Sequence, residues 1–183
     1  MISIILLTFQ LPYTFGTHTG TIDPNQISNT LKVNTEKLTV SGKIHIGIQS
    51  IQMDGNKLKC HTLESLGLNY EISDFPKSHV CKKNQLPTSG LNKIEYPDIV
   101  FKPEKFSKKD KNTYEISGVF HIRNQTIKRS ISFIHKENDT FTADWSFSLK
   151  ELGIQVKPFL FVKVKDTVSL HIETKIIPNR GVI

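Results

Sequence analysis

Cysteine is nearly absent from this chain, with Cys60 and Cys81 the only two among 183 residues. So low a count excludes the disulfide-dense scaffold of a small secreted domain. Three states stay open for the pair: one disulfide in an oxidising compartment, two buried free thiols, or half of a metal site completed by His61 and His79. The last is the weakest, because Cys60 and His61 are neighbours on an expected strand and so point to opposite faces; no metal site is expected. Also missing are a Gly-x-Ser-x-Gly elbow, a phosphate loop, a dinucleotide fingerprint, His-Glu-x-x-His and Cys-x-x-Cys. The seven histidines are dispersed, and the carboxylates Asp144 and Glu173 fall on outward positions, so paired acid/base chemistry is not indicated and no enzyme is expected. The chain has no apolar run of the roughly 20 residues that a membrane helix needs.

Charge is present but not concentrated. The net +7 comes from 24 Lys+Arg against 17 Asp+Glu, with lysines scattered over turns and outer faces. Such scatter suits a solvated surface better than a nucleic-acid footprint, so no nucleic-acid partner is expected, although peripheral contact with an anionic membrane is compatible with it. The apolar run Ile2 to Leu11 is too short to span a bilayer and stands where a secretory leader belongs, though no Lys or Arg precedes it. This assigns residues 1–16 to a leader ending near Thr14-Phe15-Gly16, residues 17–29 to a polar linker, 30–178 to one domain and 179–183 to a tail. The expected destination is periplasmic or extracellular.

The domain itself alternates with period two. Phe141, Ala143, Trp145, Phe147 and Leu149 oppose Thr142, Asp144, Ser146, Ser148 and Lys150; Val164, Val168, Leu170, Ile172 and Ile176 oppose Lys163, Lys165, Thr167, Ser169, His171, Glu173 and Lys175. Upstream, Leu38 to Ile48 keeps one parity with bends available at Gly42 and Gly47, and Asp54-Gly55-Asn56 signals a hairpin into strands around Leu58–Cys60 and Leu68–Ile72. Lys77 to Lys93 is a loop with at most a short helix. Strands resume after Tyr96-Pro97, where proline fits only a strand start, and continue through Tyr114–Ile122 and Ile127–Phe133. The expectation is an all-β fold, an antiparallel barrel of about eight strands with one short helix or helical loop; closure removes exposed edges. A two-sheet sandwich is the alternative.

Tyr96-Pro97-Asp98-Ile99-Val100-Phe101, Tyr114 to Ile122 centred on Gly118, Phe147 to Ile154, and Val164-Lys165-Asp166-Thr167-Val168 occur in an order and spacing that resemble the YceI-like family of exported, lipocalin-like barrels. The resemblance is clearest from Tyr96 to Ile177. It implies a non-catalytic barrel that holds a long isoprenoid or fatty chain, with no cofactor other than that lipid. On this view Phe101, Phe120, Ile131, Phe133, Trp145, Phe147, Phe159 and Phe161 line an apolar pocket, and the segment Gly153 to Phe161 forms part of its mouth. The same rings could equally fill the core.

This chain departs from the family pattern at the hairpin tip, where Asn124-Gln125-Thr126-Ile127 keeps only the threonine. Arg129 then takes an apolar-parity position, as a rim residue or as a guanidinium meeting a ligand head group. The leading expectation is an exported lipid carrier, monomeric or homodimeric. The alternative is an exported binding module whose basic exterior recognises an anionic surface or protein, with the barrel as scaffold.

Overall fold

The computed structural model describes residues 2–54, 96–154 and 163–176. Among the described residues, twelve strands run in chain order: β1 (Ile2–Tyr13), β2 (Gly16–Ile22), β3 (Ile27–Asn29), β4 (Lys32–Asn34), β5 (Thr39–Ser41), β6 (Ile44–Gly47), β7 (Ile51–Asp54), β8 (Asp98–Lys108), β9 (Thr113–Ile122), β10 (Gln125–His135), β11 (Thr140–Ser148) and β12 (Thr167–Ile176). Ten of them form one curled sheet in the order β3-β6-β8-β9-β10-β11-β12-β1-β2-β7, and β4 and β5 form a separate ribbon. All the pairings are antiparallel, as period-two patterning with one dry face requires. The strand count exceeds the expected eight because residues 2–34, where no strand was expected, supply β1 to β4, and because the Leu38–Ile48 run is broken into β5 and β6. At Gly42 the backbone turns through φ 95°, and a Cβ there would lie 2.2 Å from the Thr30 carbonyl oxygen.

The curl has an identifiable cause. β6 joins one end of the sheet by pairing with β8, while β7, only three residues later, joins the other end by pairing with β2. The 3-10 turn Ile48–Ser50 between them therefore brings the two ends of the sheet together. It is tied to both sides: Ile48 N–H donates to the Pro97 carbonyl at 2.8 Å, and the Ser50 carbonyl accepts from Asp23 N–H at 3.1 Å. Ile48 and Ser50 are essentially inaccessible, and the Ser50 hydroxyl is satisfied by the Gly47 carbonyl at 2.7 Å.

The structure differs from the sequence expectation at the N-terminal end. Residues 2–13, assigned above to a leader, are β1, which lies between β12 and β2; residues 17–29, assigned to a linker, contribute β2, a 3-10 turn at Pro24–Gln26, and β3. The physical reason is a β-bulge. Ile2 and Ile4 face inward, the register to β12 shifts between Ile4 and Leu6, and Leu7, Phe9 and Leu11 then face inward on the opposite parity. Ile5 and Leu6, caught in the bulge, are exposed, so a strand with one residue out of phase reads as an unbroken apolar run. The cysteines, the short helix expected within Lys77–Lys93, and the strands around Leu58–Cys60 and Leu68–Ile72 lie outside the described residues.

Elsewhere the pattern holds. β8 begins directly after Tyr96-Pro97, and β9 pairs with it through Ile99↔Ile122 and Phe101↔Phe120. Gly118 is needed there: a Cβ would stand 2.4 Å from the Lys102 carbonyl oxygen and 2.7 Å from the Phe101 ring. A chain lacking residues 1–16 should lose β1 and with it the bridge between β12 and β2. It is expected to be insoluble or to lack the far-ultraviolet circular dichroism of a sheet; a soluble product that unfolds cooperatively would show that β1 is dispensable.

Candidate functional site: an apolar cavity inside the curled sheet

Because inward side chains alternate along every long strand, the concave face collects hydrocarbon from nearly the whole chain. It lines a cavity of about 150 Å³. β1 supplies Leu7, Phe9 and Leu11; β6 supplies Ile44 and Ile46; β8 and β9 supply Ile99, Phe101, Ile116, Phe120 and Ile122. β10 contributes Ile131 and Phe133, β11 contributes Trp145 and Phe147, and β12 contributes Val168, Leu170, Ile172 and Thr174. Thr174 is buried and does not break the apolar character, because its hydroxyl donates to the Ser3 carbonyl at 2.8 Å.

Two clusters of ring contacts form inside the sheet. Phe120 packs against Phe101 at 4.5 Å and edge-on to Phe147 at 5.2 Å, and all three are on the cavity wall. At the other end of the same strands Phe106, Tyr114, Phe141 and His135 stack on one another at 4.6 to 5.7 Å, and none of them lines the cavity. One group therefore surrounds a space and the other fills one. Of the residues expected in the pocket, Phe101, Phe120, Ile131, Phe133, Trp145 and Phe147 are on the wall, while Phe159 and Phe161 lie outside the described residues. The wall residues from β1 went unforeseen, although the period-two spacing of Leu7, Phe9 and Leu11 was a signal for them.

The turn after β11, residues 149–154, also lines the cavity through Leu149, Leu152 and Ile154. Its hold explains the Val-x-Asp-x-Val motif. The Asp166 carboxylate accepts from the Ser148 hydroxyl and from Lys150 N–H at 3.0 Å, and these bonds hold it below the usual carboxylate range. The Asp166 carbonyl accepts from Leu149 N–H at 2.6 Å. Gly153 adopts φ 68°, and its carbonyl accepts from Arg123 Nη1 at 2.6 Å.

Arg129 is at the rim and is paired. Its Nη2 donates to both carboxylate oxygens of Glu151, its Nη1 donates to the Lys128 carbonyl at 3.0 Å, and the guanidinium lies over the Phe147 ring at 5.4 Å. Both partners are about one-third exposed. This pair stands beside the shortest ladder of the ten-stranded sheet. β10 and β11 pair only at Ile134↔Thr142 and His135↔Phe141, whereas β10 pairs with β9, and β11 with β12, along nearly their full lengths. Trp145 borders that seam, and its indole Nε1 is closed off from solvent with no accepting partner among the described residues. The His171 Nδ1 to Asp144 Oδ1 contact of 2.8 Å is on the outer face, away from the cavity.

Fold and site together define an antiparallel β-barrel-like protein with a dry interior. The YceI-like domain family matches residues 7–176, so the chain belongs to that family. The solved structure of BcnA from Burkholderia cenocepacia is similar over 94% of this chain and 96% of that one, with a TM-score of 0.67 and 12% identity. The Campylobacter jejuni YceI protein is similar over 84% of this chain and 81% of its own, with a TM-score of 0.55 and 12% identity. At this identity the likeness is one of fold. No curated protein matches.

Two substitutions separate wall packing from polar bonding. Phe147→Ala should cost about 3–5 kcal/mol in urea unfolding, as loss of a buried ring does. Trp145→Phe keeps a ring and deletes an unmet donor, so it should stay within about 1 kcal/mol; a larger loss would mean that the indole N–H is bonded.

Proposed function

We propose that this protein is a non-catalytic binding protein that holds a long apolar chain, isoprenoid or fatty, inside its curled sheet. The observation that carries the reading is the wall: hydrocarbon and aromatic side chains around about 150 Å³, with its buried hydroxyl already bonded. A cavity of that size and lining stays dry and accepts an apolar guest of about benzene size. A chain segment entering it gains about 0.8 kcal/mol for each methylene removed from water. Membership of the YceI-like family is consistent with an apolar ligand.

Trp145 is the single tryptophan and is on the cavity wall, so it reports occupancy directly. Titration with geranylgeraniol should shift its fluorescence saturably and raise the melting temperature, by mass action on the folded state. Unchanged emission and an unchanged melting temperature would overturn the reading.

A further inference from the structure

A cavity inside a curled sheet raises the question of where a long chain enters, and the ladder registers bear on it. Opening the sheet between β8 and β9, β9 and β10, β11 and β12, or β12 and β1 would break a long run of backbone hydrogen bonds. Between β10 and β11 the ladder stops after Ile134↔Thr142. Continuing that register would set Ile131 opposite Trp145 and Arg129 opposite Phe147. Ile131, Trp145 and Phe147 all line the cavity, so the cavity reaches the seam. What bridges the seam there is side chain: Arg129 lies over Phe147 and grips Glu151 beyond the end of β11.

We propose that this seam is a lateral mouth through which the apolar chain enters and from which its remainder projects, latched by the Arg129–Glu151 pair. The inference rests on the lipid-binding reading above and adds a route to it. Size requires such a route, since about 150 Å³ seats only a short stretch of a long chain and the rest must leave the interior somewhere. The latch suits the position. A partly exposed ion pair is weak enough to open thermally, and with Glu151 engaged the guanidinium does not present an unpaired charge to the chain.

The test bridges the seam covalently. Ser130→Cys with Ser146→Cys places two thiols on the exposed faces of β10 and β11, where the continued register sets them opposite each other. They are joined with a short bismaleimide and the product is verified by peptide mapping. The control is Ser146→Cys with Ser169→Cys, joined in the same way across the paired ladder of β11 and β12. Geranylgeraniol uptake is followed by Trp145 fluorescence after rapid mixing. The seam bridge should slow uptake by about tenfold or more, a barrier that the control bridge does not raise. Glu151→Gln, which unlatches Arg129, should speed it by about fivefold, the scale set by a partly exposed ion pair. Equal uptake by the seam-bridged, control-bridged and unbridged proteins would overturn the mouth while leaving lipid binding intact. Failure of the unbridged protein to bind at all would overturn both.

Discussion

The whole architecture depends on one constraint: a sheet with a dry face must not leave that face open to water. Here the constraint is met by a single stretch of chain, Ile44 to Asp54, which belongs to both ends of the sheet. The turn at Ile48–Ser50 is bonded to Pro97 on one side and Asp23 on the other, so the two ends are fastened where the chain crosses. Once the ends meet, the inward side chains of the long strands are gathered on one concave face, and their burial adds hydrophobic stabilisation to the pairing.

Burial is uneven, and the unevenness bears on function. Phe106, Tyr114, Phe141 and His135 consolidate one region by ring contacts, while Phe101, Phe120 and Phe147 contact one another around a space. Protein interiors are normally packed to crystal density, so an unfilled apolar volume in an otherwise ordinary core is a cost that a guest molecule removes. The polar groups near it are mostly satisfied: Thr174 by Ser3, Arg129 by Glu151, and the turn after β11 by Asp166. Trp145 Nε1 is the exception on the wall.

Much of this was legible in the sequence wherever period two ran unbroken. The strands from Asp98 to Ile176 and the inward set Phe101, Phe120, Ile131, Phe133, Trp145 and Phe147 follow from parity. Arg129 betrayed itself by occupying an apolar parity, but its partner Glu151 is 22 residues away and belongs to a turn whose path no periodicity describes. The N-terminal strand was hidden by its bulge, since one extra residue turns two alternating halves into a continuous apolar run that resembles a leader. The stopped ladder between β10 and β11 has no sequence signal at all. Both strands alternate without interruption, and pairing nevertheless stops after two residues.

The central claim, an interior built to be occupied, is tested most directly by native mass spectrometry of the protein purified without denaturant or detergent. The account requires a population heavier than the bare chain by one discrete apolar molecule, released by organic extraction and restored by incubation with a polyprenyl alcohol. A spectrum showing only the bare chain, before and after that incubation, would contradict it.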